Sequence, residues 1–271
     1  MSSMKVLFVT SEFSGLAKAG GLGEVSAGLP LALRLRGIDV RVLMPAYPDV
    51  IAKLPDITWF GRLAGRAAIP GCRIGTAVLP DGTVLYLIGA PSLYDRRGTP
   101  YCTPEGKDWP DNPLRFARLS LAASDIARGR GNLGWQPDLV HVHDWPGGLT
   151  PAYMRWDGVD VPTVTTIHNI AYQGLCDAAL RPRLGIPEHA FQMEGVEFHG
   201  HVSFLKAGLY YAHHVTTVSP TYAGEITTEA LGAGLHGLMQ GIAERGSLSG
   251  IVNGIDESWD PLNDPHLPHH F

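Results

Sequence analysis

Three short segments of this 271-residue sequence combine reactive side chains and bare backbone in ways that could act on a ligand. The first, Lys18-Ala19-Gly20-Gly21-Leu22-Gly23-Glu24-Val25, follows the apolar run Lys5 to Thr10 and precedes an alanine- and leucine-rich helical pattern. A strand that turns into a helix through glycines exposes backbone N–H groups at the positive end of the helix, where α/β proteins hold phosphate. Lys18 would add a point charge there. An ordinary Gly-rich βα turn accounts for the same residues without a ligand. The second and third segments, His143-Asp144-Trp145 and His168-Asn169, each close a predicted strand. Imidazole, carboxylate and amide groups at neighbouring strand ends can reach one ligand, because parallel strands lie about 4.8 Å apart. The structural alternatives are a hydrogen-bonded histidine at the core edge, a carboxylate capping the turn Trp145-Pro146-Gly147, and a tryptophan closing an apolar layer.

The elements that must hold these groups are legible from periodicity. A strand is predicted at about 5–10, a helix at about 22–36 stopped by Gly37, and a second strand from Ile38 to Met44 closed by Pro45. Short alternating segments from Asp56 to Ile88, with the turn Leu79-Pro80-Asp81-Gly82-Thr83, predict a hairpin excursion. A polar, Pro-rich loop covers Ser92 to Pro113, long enough to be functional. Helical spacing returns at 114–127 and 202–212, and strands are expected at 138–143, 161–167 and 215–218. Ser219-Pro220 supplies an N-cap and a first-turn proline for another helix. This alternation predicts an α/β fold: a Rossmann-like, doubly wound parallel sheet with its functional groups at strand carboxyl ends. Gly250 to Asp256 reads as a last strand and turn. The polar, Pro- and His-rich stretch Pro261 to Phe271 has no element to bury, so the chain is expected to divide into a domain at 1–256 and a truncated interdomain segment or tail at 257–271.

Composition narrows the function. Hydrophobic residues at 45% and charged residues at only 17% are enough for a full-sized core. A net charge of −5 provides no basic field for nucleic acid or an anionic membrane. No apolar run approaches the roughly 20 residues that span a bilayer, and Met1 to Lys5 leads straight into a strand. Cys72, Cys102 and Cys176 have no CxxC spacing, which fits a reducing compartment, so a soluble cytoplasmic protein is expected. His141-x-His143 invites a metal, because alternate strand residues share a face, but no complete ligand set can be named. Gly20-Gly21-Leu22-Gly23 is not G-x-G-x-x-G, the second strand ends in Leu43-Met44-Pro45 without an acid for a ribose, and no P-loop motif occurs.

Taken together, KAGGLGEV at 18–25, LPLALRLRGIDVRVLMPAYPDV at 29–50, LYDRRGTPY at 93–101, DNPLRFARLS at 111–120, PDLVHVHDWPGGLTPAY at 137–153 and TIHNIAYQG at 166–174 carry a resemblance. It continues through FLKAGLYYAHHVTTVSPTYAGEI at 204–226, GLHGLM at 234–239 and GIVNGID at 250–256. The sequence resembles the bacterial glycogen synthase and plant starch synthase family, retaining glucosyltransferases that use nucleotide-activated glucose.

That resemblance implies the amino-terminal half of a two-domain GT-B fold, the half that carries the acceptor-glucan surface. It implies transfer of glucose from ADP-glucose to the nonreducing end of an α-1,4-glucan, with no metal or other cofactor. Partners would be ADP-glucose, the glucan and a carboxyl-terminal domain that this chain lacks, and an exposed apolar face could favour self-association. His168 and Asp144 are implied as catalytic residues. Lys18, Gly20, Gly21, Glu24, Asn169 and Asn253 are implied on the donor side, and Tyr94 and Trp145 at the glucan channel or cleft. Ala19, Glu24 and Pro146 depart from the family's usual threonine, aspartate and histidine. A non-enzymatic glucan-binding or assembly module, using Tyr94 and the Ser92 to Pro113 loop, is the alternative.

Overall fold

A computed structural model describes residues 3–255 together with Leu262 and Leu267. The tail expected at 257–271 otherwise lies outside the described residues. The chain begins with β1 (Lys5–Val9), α1 (Leu22–Leu35) and β2 (Asp39–Pro45), followed by α2 (Pro48–Lys53), β3 (Thr58–Leu63), β4 (Cys72–Val78) and β5 (Val84–Gly89). Then come α3 (Pro91–Tyr94), α4 (Asn112–Ala127), β6 (Leu139–His143), α5 (Leu149–Trp156) and β7 (Thr163–Ile167). After β8 (Leu175–Asp177), β9 (Glu197–Phe198) and β10 (His201–Ser203), the described elements end with α6 (Phe204–Tyr211), β11 (His214–Thr217), α7 (Pro220–Glu225), α8 (His236–Glu244) and β12 (Leu248–Gly250).

Nine strands form one sheet in the order β12-β11-β7-β6-β1-β2-β5-β4-β3, parallel from β12 to β5 and antiparallel through β4 and β3. β1 is central, and its apolar run Val6 to Val9 is buried on both faces, as a parallel inner strand requires. From β1 the chain passes to β2 on one side and later to β6 on the other. That reversal creates a crevice outside the carboxyl ends of β1 and β6, the place where open α/β sheets bind ligands. The expected doubly wound α/β architecture is therefore present.

The hairpin excursion joins the main sheet through β5, and Gly82 takes a positive φ of 83° in its turn. The helix expected at 202–212 begins two residues later, because Val202 and Ser203 pair with β8 in a small separate sheet. Ser203 then caps α6, its hydroxyl accepting from the Lys206 N–H at 3.1 Å. Among the described residues the last strand is β12 at 248–250, and residues 251–255 are irregular where a strand and turn are expected over 250–256; Asp256 lies outside the described residues.

Two arrangements aim the crevice-lining segments. Arg115 on α4 is wholly interior and donates to the carbonyls of Leu93 at 2.9 Å and Pro100 at 2.8 Å, pinning the loop that follows α3. A buried guanidinium is tolerated only when its donors are satisfied in this way. At the other side, Gly148 opens α5 against α6. A Cβ at Gly148 would overlap the Phe204 carbonyl, and one at Gly208 would lie 3.1 Å from the Gly148 Cα. This contact fixes the turn that carries Trp145. Gly148→Ala is therefore expected to lower stability by about 3 kcal/mol, the upper range for overpacking against backbone. Gly28→Ala, in the exposed interior of α1 with open space around it, should raise stability by up to about 1 kcal/mol. Urea midpoints of the two variants would reverse this ranking if the packing account were wrong.

Candidate active site

The crevice is a cavity of about 1130 Å3 lined by several segments remote in sequence. The β1–α1 loop contributes Glu12, Ala19, Gly20 and Gly21, and the loop before α4 contributes Tyr101, Asp108 and Trp109. The end of β6 gives Asp144 and Trp145, the end of β7 gives His168 and Asn169, and Asn253 comes from the irregular segment after β12. Seven of the residues singled out from sequence thus meet in one place: Gly20, Gly21, Asp144, Trp145, His168, Asn169 and Asn253.

Three do not. Tyr94 is only 1% exposed, and its hydroxyl donates to the Arg115 carbonyl at 2.6 Å, so it is a core residue and not a cleft aromatic. The loop after it does reach the cavity, through Tyr101 and Trp109. Lys18 and Glu24 are half-exposed and ion-paired with each other outside the lining, where Glu24 also accepts from the Ser14 hydroxyl at 3.1 Å. The longer carboxylate of Glu24 is thereby accommodated. The Lys18 stem lies across Gly23, where a Cβ would come within 2.9 Å of it.

Glu12 changes the reading of the Gly-rich loop. Its carboxylate accepts from the Ala19 N–H at 2.6 Å, the Gly20 N–H at 2.8 Å and the Tyr101 hydroxyl at 2.6 Å. Two of the amides expected to meet a phosphate are therefore engaged by the protein itself. The N–H groups of Gly21 and Leu22, at the start of α1, have no hydrogen-bond partner among the described residues. Tyr101 is raised well above its ordinary pKa, by burial first and then by the Glu12 charge, so it stays a donor. The signal that could have found Glu12 was its place in Thr10-Ser11-Glu12, a polar run directly after a buried strand.

Asp144 ends β6 with φ 53° and ψ −169°, a strained conformation for a residue with a Cβ. The turn is held because its Oδ1 accepts from the His168 N–H at 2.7 Å and the Asn169 N–H at 3.4 Å, tying the ends of β6 and β7. Pro146 fits here without loss, since it sits in the first turn of a short 3-10 segment, where its missing N–H needs no partner. Trp145 packs against both apolar clusters of the chain, and Gly174 faces its ring so closely that any Cβ would overlap it. Among the described residues no group of three His, Cys, Asp or Glu side chains is placed to hold a metal ion, and the His141 and His143 rings lie against each other at a tilt of 36°.

Burial moves the charges of this site in opposite directions. The Asp144 carboxyl is raised from 3.8 to about 7 by burial, against the lowering effect of its two N–H donors. His141 and His168 are both lowered from 6.5 to about 4, chiefly by burial. The folded chain therefore takes up a proton on Asp144 between about pH 4 and 7, and this contribution falls as pH rises. The histidines act the other way, because the unfolded chain binds their protons first and stability is lost as pH falls from 6.5 towards 4. Two histidines outweigh one carboxyl of similar shift. The urea midpoint should thus drop on acidification across that window. Asp144→Asn, which keeps the accepting Oδ1, should drop more steeply and gain on the order of 4 kcal/mol relative to the parent between pH 4 and 7. Parallel midpoint curves for the two proteins would contradict the assignment.

With this geometry in view, the relatives of the chain are informative. The profile of the starch synthase catalytic domain family matches residues 5–241. Glycogen synthase of Pseudomonas aeruginosa is 57% identical over 263 residues, covering 97% of this chain and 51% of that protein. Glycogen synthase of Pseudomonas fluorescens is 58% identical, with 97% and 50% covered. The chain spans about half the length of these curated relatives. Among solved structures, the catalytic domain of starch synthase IV from Arabidopsis thaliana bound to ADP and acarbose matches with a TM-score of 0.82 and 29% identity. That match covers all of this chain and 56% of the other, so the sheet and its crevice correspond to one Rossmann-like half of a GT-B fold. The chain belongs to the starch synthase catalytic domain family.

Proposed function

We propose that this chain forms the acceptor-side half of a retaining glucosyltransferase that moves glucose from ADP-glucose to the nonreducing end of an α-1,4-glucan. The observation that carries the reading is the chemistry of the cavity wall. It bears Glu12, Asp108, Asp144 and Asp177, the amides of Asn112, Asn169, Gln173 and Asn253, and the aromatic rings of Tyr101, Trp109, Trp145 and Tyr172, with no lysine or arginine among the described residues. Carboxylates and amides accept from or bridge hydroxyl groups, and aromatic faces cover the apolar face of a pyranose. Such a wall suits a neutral polyol. The ADP and acarbose bound by the Arabidopsis relative are a nucleotide and a sugar-like ligand, which supports the same pairing of donor and glucan here.

Within that reaction, the free N–H groups of Gly21 and Leu22 at the α1 terminus are placed to meet phosphate oxygens. Lys18 adds its charge there by exchanging Glu24 for phosphate. His168 and Asn169 position the glucosyl unit, and Asp144 holds both through their backbone. Asn253 serves the donor side from its exposed segment. Leaving-group charge is met by pre-set donors, and the acceptor hydroxyl is held against the anomeric carbon.

The alternative, a glucan-binding module without transfer, is favoured by one feature: the carboxyl, amide and aromatic groups named above all belong to this chain. One experiment separates the two. The chain is joined to the carboxyl-terminal half of the Pseudomonas aeruginosa relative, and ADP release is compared with glucan extension. Stoichiometric transfer is expected, and His168→Ala should lower kcat on the order of a hundredfold while the urea midpoint shows a folded protein that has lost about 1–3 kcal/mol with the acceptor of the His143 N–H. The 271-residue chain alone should bind maltooligosaccharides but extend them negligibly. A folded hybrid that binds glucan without transfer would establish the module instead, and turnover near 1 per second by the chain alone would overturn the half-site reading.

A further inference from the structure

Behind the cavity runs a line of buried and half-buried polar side chains, most of which the proposed reaction does not use. His141 and His143 stand two apart on β6 and share a face, their ring centroids 4.2 Å apart. His141 Nε2 meets the Thr166 hydroxyl at 2.7 Å, and Thr166 meets the Thr216 hydroxyl at 2.6 Å. His143 is wholly buried and stacks on Phe8 with centroids 4.0 Å apart. Its Nδ1 lies 3.0 Å from the Nε2 of His168, and its own Nε2 is sealed from solvent with no hydrogen-bond partner.

That partnerless nitrogen decides where the hydrogens are. Burial keeps both rings neutral, with His168 lowered to about 4 and His143 well below its usual value. A neutral imidazole has one N–H and one lone-pair nitrogen, so one ring of the pair donates and the other accepts. If His168 donated, His143 would carry its hydrogen on Nε2, where nothing accepts it. A buried N–H without a partner is rarer and more costly than a buried lone pair without one. His143 therefore donates from Nδ1, its dry Nε2 is bare, and His168 is left with its hydrogen on the other nitrogen.

We infer that His143 is a positioning residue that locks His168 as the Nδ1–H tautomer, so that His168 offers the cavity a hydrogen-bond donor and no basic nitrogen. Its Nε2 lone pair is committed inwards, and Nδ1 is the ring nitrogen that remains for a ligand. The ligand atom it recognises is an oxygen with a free lone pair, such as a sugar hydroxyl. His168 does not take the proton of an attacking hydroxyl while this arrangement holds. Only the identity of that oxygen rests on the glucosyltransferase reading; the tautomer does not.

Long-range proton–nitrogen correlation spectra of the uniformly 15N-labelled chain, without ligand, test the inference. Both His143 and His168 should show Nδ1 at the shift of a protonated nitrogen and Nε2 at that of a lone-pair nitrogen, with His168→Ala used for assignment. His143→Asn, whose amide N–H falls near the place of ring Nδ1, should keep His168 as the Nδ1–H form. His143→Leu should release it into a mixture of both tautomers. A wild-type His168 protonated at Nε2, or an unchanged Nδ1–H form in His143→Leu, would overturn the inference. If His143→Leu does not fold, the wild-type spectrum decides alone. Because no glucosyl transfer is measured, failure of this inference is distinguishable from failure of the proposed reaction.

Discussion

The site depends on the double tie between the ends of β6 and β7. One strand is the Asp144 carboxylate accepting the His168 N–H, and the other is the ring contact between His143 and His168. Neighbouring parallel strands are already held by their ladder, but a ladder fixes backbone, not the direction of the side chain that follows it. Asp144 supplies that direction at the cost of a left-handed φ on a residue with a Cβ, a strain of about 1–3 kcal/mol. A glycine would adopt the turn without strain and would lose the carboxylate. The sequence accepts the strain, and His168 and Asn169 emerge at a set angle over the cavity.

Glu12 performs a comparable task on the opposite wall. By accepting the Ala19 and Gly20 N–H groups it holds the glycine loop in the shape an anion would otherwise impose, and Tyr101 anchors the loop before α4 to the same carboxylate. Two segments remote in sequence thus meet through one buried acid. Ser11 adds its hydroxyl to Tyr101 at 2.8 Å, so the phenol both donates and accepts. Such a network keeps its order only if every member is satisfied.

The sheet was legible from sequence because β1 and β2 carry apolar runs, β6 and β7 are short segments rich in β-branched residues, and each is closed by polar or proline residues. The cavity followed, since polar groups at two adjacent strand ends must share a crevice. The β8–β10 sheet was not legible, because strands of two or three residues such as Glu197-Phe198 carry no period. Tyr94 was misplaced for a different reason. Membership of a loop motif says nothing of which way a ring points, and here Arg115 draws the loop inwards so that Tyr94 faces the core while Tyr101 faces the cavity. Lys18 and Glu24 were read separately for the donor side, yet a lysine and a glutamate six apart across a helix start satisfy each other first.

The distribution of charge then constrains how a nucleotide sugar can be held. A diphosphate brought against a wall that carries Glu12, Asp108 and Asp177 and, among the described residues, no lysine or arginine gains little from that wall, because a partly enclosed cavity screens the repulsion less than solvent does. The two free amides at the start of α1 supply partial positive charge within about one helical turn only. Lys18 is the nearest cation in sequence, and it reaches phosphate only by leaving Glu24, an exchange that an exposed ion pair resists weakly. A neutral glucan chain meets no such opposition. In the proposed reaction this asymmetry favours a hydroxyl-rich sugar over a diphosphate at this wall, and the neutral His168 is one of the groups that line it.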